Sequence, residues 1–450
     1  MVAGMLQSAL NYRRTTPSFM HDVQTNARRL GILYTVEVEL TRLLGRWIPA
    51  TPELPEKLTL ARLLFEDSDH ARVIEARLAE LRVGKTELAA LRRRTAEGLR
   101  TLERADDPHA VLAALARVVK PRLLADYRRH LDAAPPYVDD PTVRMLRTVV
   151  AEEADHIAAL QALIAERGVD VAGHARFLAA VETTLWDLTA DDGALGAGFV
   201  GDDPIAQPRP HWPAAVQHLG YRDPMPPYPR DFDGAMRRVI HDLVFSEAEA
   251  LDIFGRYVYE LSDMPWAFSH ESARISWDEA RHVELLLNVL ARYGGEIGEF
   301  PAKCPGYEEF LRGQTTLEKL IMVNVIAEGE VSTDTQTQHR DAFRALGDEL
   351  SAILKDYEMA DEVVHGRFGV KWAAWIVEQT GADYDAAYAR AKAALEEFKS
   401  MHDEDGGDSP IPLLRLGADE TGPRRQVNLE AKRLVGFSAQ DIARIKGDVP

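Results

Sequence analysis

Five places in this 450-residue chain set an acidic residue three positions before a histidine: Asp67–His70, Asp106–His109, Glu153–His156, Glu279–His282 and Glu362–His365. With 14 histidines and 72 acidic residues scattered at random, about two such pairs are expected. On an α-helix this spacing puts both side chains on one face, about 60° apart around the axis and about 4.5 Å apart along it. Carboxylate and imidazole together suit iron or manganese better than a thiolate-seeking metal. Two such pairs on facing helices, with one carboxylate from each of two more, would enclose two metal ions. A charged turn can equally be solvated surface, so order and context must carry the reading. Asp106–His109 spans Pro108 and reads instead as a helix start.

The clusters repeat. Aligning "VEVELTRLLGRW" with "SEAEALDIFGRY" superposes Glu37 on Glu247. "EDSDH" falls on "DEARH" and "EEADH" on "DEVVH", all at an offset of about 210 residues, which is the mark of an internal duplication.

The second half holds a complete set. Its first helix offers Glu247 or Glu249, and the repeat favours Glu247. The next carries Glu279 and His282. The third, "LEKLIMVNVIAEGEVS", is apolar until Glu328 and Glu330; Glu328 is the expected ligand and Glu330 the alternative. The fourth carries Glu362 and His365. Asp278 and Asp361 immediately precede the two ligating glutamates, where a carboxylate can accept the distal N–H of a metal-bound histidine. The first half is less complete. Glu37, Asp67, His70, Glu153 and His156 match, but the repeat puts Ala125 where the fourth carboxylate belongs, with Asp126 on a different face. Asp67 is also one methylene shorter than the glutamate expected there. That half could hold one metal, hold two weakly, or be a relic.

These residues need long helices to position them. "LTLARLLFEDSDHARVIEARLAELR" and "VRMLRTVVAEEADHIAALQALIAER" space apolar residues at three and four over six turns, and Ala, Leu, Arg and Glu dominate. The expected fold is all-α, with two tandem helical bundles at residues 1–187 and 233–403. Between them, residues 188–232 form a Pro/Gly-rich linker, for eight of the 24 prolines fall between Pro204 and Pro229. Residues 404–450 read as an extended tail with a short helix near Ser438–Lys446.

Composition narrows the function. A net charge of −19 argues against general binding to nucleic acid or anionic membrane. The single cysteine, Cys304, excludes an intrachain disulfide. Neither a signal peptide nor a run of eighteen apolar residues is visible, so a cytoplasmic protein is expected. Phosphate-binding and nucleophile-elbow motifs are absent.

"DEARH" and "DEVVH", each preceded by a helix with a lone glutamate, resemble the ferritin-like di-iron carboxylate proteins, which include ribonucleotide reductase small subunits, bacterial multicomponent monooxygenases, acyl desaturases and ferritins. The stretch from about Arg230 to the end is similar to a bacterial family of single-domain ferritin-like proteins of unassigned function. "SWDEARHVELL", "RALGDELSAILKDYEMADEVVHGRFGVKW" and "VNLEAKRLVGFS" carry that likeness. The resemblance implies two ferritin-like bundles with two iron ions, or manganese, in the second; metal in the first is left open. It also implies an O2-activating oxidoreductase that hydroxylates, desaturates or N-oxygenates a small organic substrate, with an electron-donor protein as a further partner. A homodimer is compatible with it. The alternative is a metal-handling protein, a ferroxidase or peroxide scavenger, with the same ligands and no organic pocket.

Overall fold

The structure is a computed structural model that describes residues 21–82, 95, 98–185, 209–220, 222–261, 263–400, 418–419, 422–423 and 427–446. Among these the chain is all-α: its only strands are two pairs of two residues each, His218–Leu219 with Ala302–Lys303 and Ala418–Asp419 with Gly422–Pro423. No helix of the described residues is long and apolar enough to cross a membrane. The chain divides into two compact units. One comprises Met1–Leu44 and Leu63–Gln207, the other Gly45–Arg62 and Pro208–Pro450.

In the first unit the cluster is carried by α1 (Val23–Ala50), α2 (Leu54–Glu80), α3 and α4 (Asp140–Arg167). Helix α3 is built from Pro108–Ala114, a wide π turn at Leu115–Val119, and Lys120–Ala133. Asp107 caps its start by accepting from the His109 N–H at 2.9 Å, so the Asp-Pro-His stretch is a helix start, as its sequence suggests. The π turn has a local cause: Pro121 has no N–H to offer the carbonyl four residues upstream.

The second unit repeats the plan with α5 (Phe232–Glu260), α6 (Trp266–Arg292), α7 and α8 (Glu349–Thr380). Helix α7 runs through Thr316–Leu320, a twelve-residue π segment Ile321–Ser332, and Thr333–Ala345. Asp231, Thr315 and Asp348 cap α5, α7 and α8 with side-chain oxygens. Gly381, at φ 71°, ends α8 in the left-handed conformation that glycine favours. Helix α5 packs along α6, and the π segment of α7 along α8.

Two glycines set that last contact. A Cβ on Gly369 would lie 2.5 Å from the Asn324 Cβ, and one on Gly366 would lie 2.9 Å from the Gly329 Cα. Only at glycine can α8 approach the π segment so closely. The chain's C-terminal part packs against both α8 and that segment. There the described residues form two helices, Leu429–Val435 and Ala439–Lys446, one more than the sequence suggests, with Asn428 capping the first. The buried Lys432 donates to the carbonyls of Gly329 at 3.0 Å and Glu330 at 2.9 Å, and to Thr333 Oγ1 at 2.6 Å. A π segment leaves carbonyls without their usual partners, and a buried carbonyl left unpaired is costly. Lys432 answers that need.

Of the Pro-rich stretch, residues 186–208 lie outside the described residues. The described remainder has Val216 in a small apolar cluster with Phe245 and Ala302, against which Trp212 packs.

Candidate metal centre

In the second unit six side chains converge from four helices. Glu279, Glu328, Glu362 and His365 offer ligand atoms that all lie within 4.8 Å of one another, and so do Glu247, Glu279 and His282. Glu279 belongs to both groups. Each histidine turns Nδ1 into the cluster: His282 Nδ1 is 3.2 Å from Glu279 and 3.5 Å from Glu247, and His365 Nδ1 is 3.0 Å from Glu279 and 3.5 Å from Glu362. The two imidazole centroids are 6.0 Å apart.

The opposite ring nitrogens are braced across the pair. His282 Nε2 faces Asp361 at 3.3 Å, while His365 Nε2 faces Asp278 at 3.6 Å. Each aspartate therefore serves the histidine of the other motif. Arg281 links them, pairing with Asp278 and, at 2.9 Å, with Asp361; Arg274 adds a 2.7 Å bond to Asp278. The Asp361 hydrogen bond fixes the His282 ring with Nδ1 inward, whereas Asp278 faces His365 Nε2 beyond hydrogen-bond distance and acts on it through charge.

Without a cation the cluster is electrostatically uneasy. Burial and the neighbouring Glu362 push the Glu328 carboxyl well above the usual range. Burial alone would depress His282, yet Asp361, Glu247 and Glu279 hold it well above its ordinary value. Glu279 Oε1, Glu362 Oε2 and His365 Nδ1 are buried without a hydrogen-bond partner. Buried oxygens and nitrogens with no partner, aimed at one another, are what a metal ion would satisfy, and the hard donor set fits iron or manganese.

The two alternative acids are placed elsewhere. Glu330 accepts from Tyr388 Oη at 2.9 Å, and Glu249 from the Tyr307 N–H at 3.4 Å; neither belongs to a cluster. Glu249 instead lines a cavity of about 320 Å³ onto which Glu247, Glu328 and Glu362 also open. Much of its wall is apolar, including Ile253, Phe310, Met322 and Ile326.

The first unit reproduces this layout with one difference. Glu37, Asp67, His70 and Glu153 gather within 4.8 Å, and His156 Nδ1 is 3.6 Å from both Asp67 and Glu153. The rings of His70 and His156 are 5.9 Å apart. Crossed bracing recurs as well: Glu152 holds His70 Nε2 at 2.9 Å and Glu66 pairs with His156 Nε2. But α3 sends in Lys120, whose ammonium lies 2.5 Å from Asp67 and 2.8 Å from Glu153. Burial works against the charge, yet Asp67, Glu153 and Glu37 more than offset it and hold Lys120 above its ordinary pKa. Tyr127 closes the cluster, donating to Glu37 at 2.6 Å. The residue in the fourth place is thus Lys120, not Ala125, and Asp126 pairs with Arg129. Sequence reasoning missed Lys120, Glu66 and Glu152. For the two glutamates the signal was there: each precedes the acid of its motif, as Asp278 and Asp361 do.

Fold and site together define an all-α protein with two buried carboxylate–histidine clusters that could hold metal ions. Residues 180–403, which include all of α5 to α8, match a family model described as a protein of unknown function, DUF455. No curated protein and no solved structure matches the chain.

Proposed function

We propose that the second unit is a ferritin-like, non-haem di-iron carboxylate oxidoreductase that uses O2 to oxidise a small organic substrate. The observation that carries this reading is the cavity of about 320 Å³ that meets Glu247, Glu328 and Glu362. A protein that only handles iron has no need of a largely apolar cavity at its ligands, whereas an organic substrate does.

Glu247, Glu279, His282, Glu328, Glu362 and His365 would hold the two ions, with manganese as the alternative occupant. Bound metal would supply the redox chemistry with oxygen. The chain's own contribution is positional. Asp278 and Asp361 keep Nδ1 of His365 and His282 turned inward. Gly366 and Gly369 bring Glu328 beside Glu362, and Ile253, Phe310 and Met322 would give the substrate an apolar wall. Such an oxidation consumes electrons beyond those of a single two-electron substrate oxidation, so an external donor is part of the proposal. The first unit, with Lys120 in its cluster, would support the fold rather than the reaction.

The test is oxygen uptake by iron-loaded protein with dithionite-reduced mediator, with and without a panel of small apolar organics. Uptake stimulated by an organic compound and coupled to its oxidised product is expected. Many turnovers of added ferrous iron, with no effect of any organic compound, would instead place the protein with the ferroxidases.

A further inference from the structure

The outward face of α8 is apolar. Inward, the helix buries Ser351, Lys355, Glu358, Glu362 and His365, the last two in the metal cluster. Outward, Leu350, Ile353, Tyr357, Ala360 and Val364 recur at intervals of three and four, so they form one straight stripe about 21 Å long. Leu346, in the turn that precedes α8, extends it. Leu350 is 50% exposed, Ile353 43%, Tyr357 70% and Val364 42%. A surface helix ordinarily turns polar residues to that side.

The internal repeat supplies a control. Helix α4 serves the first cluster as α8 serves the second. Aligning Glu153 with Glu362 puts Pro141, Arg144, Thr148, Ala151 and Asp155 at the five stripe positions, all of them exposed. Holding a carboxylate–histidine cluster therefore asks for no apolar outer face, and the stripe on α8 serves something else.

The stripe fits a second copy of itself. With two α8 helices antiparallel about a two-fold axis between Ile353 and Tyr357, Leu350 meets Ala360, Ile353 meets Tyr357, and Val364 meets Leu346 of the turn. A parallel pairing would stack Tyr357 on Tyr357 and set Ala360 against Ala360, overfilling one layer and emptying the next. The charges at the stripe's edges are already matched within each copy: Asp356 with Arg340 at 2.9 Å, Glu349 with Arg344 at 3.4 Å and Asp361 with Arg281 at 2.9 Å. Pairing thus buries no unmatched charge. Leu346, Leu350, Ile353, Tyr357 and Val364 together present roughly 400 Å² per copy. That is the apolar half of the about 800 Å² per partner that a stable interface buries.

We propose that the chain forms a two-fold dimer through the outward face of α8, with the two helices antiparallel in this register. The dimer stands apart from the metal reading, since the stripe and the cluster occupy opposite faces of the helix.

Analytical ultracentrifugation of the full chain at micromolar concentration tests this. The wild type should sediment at twice the 50.2 kDa mass of one chain. Ile353→Lys and Tyr357→Glu, each alone, should weaken the dimer at least about thirty-fold with the helical signal kept. Mixed in equal amounts, the two variants should form a dimer again. The introduced lysine of one copy then meets the introduced glutamate of the other, while the second Ile353–Tyr357 layer stays intact. Leu350→Glu, with Ala360→Lys as its complement, repeats the test should either variant not fold. A monomeric wild type would overturn the proposal and leave the stripe to a segment of the same chain or to a different partner. A dimer undiminished in both variants, or a mixture that stays monomeric, would overturn it as well.

Discussion

The two clusters share nearly everything except what α3 and α7 deliver. Both place two histidines with ring centroids about 6 Å apart, 5.9 Å in the first unit and 6.0 Å in the second, and both brace each ring from the opposite motif. In the first, a lysine ammonium sits between Asp67 and Glu153; in the second, the corresponding stretch presents Glu328. A buried group of carboxylates needs positive charge from somewhere. The first unit carries that charge covalently, and the second leaves the need to be met by protons or metal. One residue, Lys120 just after the π turn of α3 against Glu328 within the π segment of α7, separates a self-satisfied polar core from a candidate metal centre.

If that contrast is right, the largest effect comes from emptying the first cluster. Lys120→Met leaves Asp67 and Glu153 buried without their cation and should destabilise the first unit by about 3–5 kcal/mol at neutral pH, read by urea unfolding. A loss under about 1 kcal/mol would mean that the carboxylates find another partner. Next in size is the bracing. Asp361→Asn should weaken metal binding about 10–100-fold, while Glu152→Gln, its counterpart in the first unit, should leave metal content untouched. Equal effects of the two would erase the distinction between the clusters.

The support behind α7 ranks third. Lys432→Met frees the Glu330 carbonyl and takes the cation from the buried Asp334, 2.8 Å away, which keeps the Asn428 N–H; it should cost about 1–3 kcal/mol, with a parallel loss of metal affinity because Glu328 lies in the same segment. The first unit has no described counterpart to this lysine, so Lys432→Met should not lower the stability of a separately monitored first-unit probe. Smallest is the pH effect that His130 contributes in the first unit. His130 is buried against Asn26, 2.7 Å away, and burial first, then His21, depresses its pKa to about 3. The unfolded ring titrates near 6.5, so the folded state is favoured above that value and loses stability as pH falls towards 3. Between pH 7 and 6 the loss is roughly 0.7 kcal/mol, and His130→Asn should flatten it in thermal unfolding.

What was legible in the sequence follows from geometry that spacing fixes. An acid and a histidine three apart must share a helical face, so Glu279 with His282 and Glu362 with His365 could be read directly, and their repetition at about 210 residues exposed the weaker pairs. Glu328 and Glu247 lie in the clusters, and Glu330 and Glu249 do not. Lys120 was hidden for two reasons. A search for a missing carboxylate cannot recognise an ammonium that does its work. The π turn at Leu115–Val119 also departs from the 3.6-residue period on which alignment of faces depends. Lys432 was hidden because its task, holding carbonyls freed by the second π segment, is set by a contact about a hundred residues away in sequence. "HGRFG" was the readable hint: two glycines three apart inside a long helix mark a close approach, and Gly366 and Gly369 are where α8 meets α7.

The most direct test of the account is the metal content of the purified, iron-reconstituted chain, wild type beside Glu328→Lys, which gives the second cluster the first one's residue. The account predicts about two ions per chain in the wild type and none in Glu328→Lys, with the variant's helical signal retained. About four ions in the wild type, an undiminished content in Glu328→Lys, or no metal in either would contradict it.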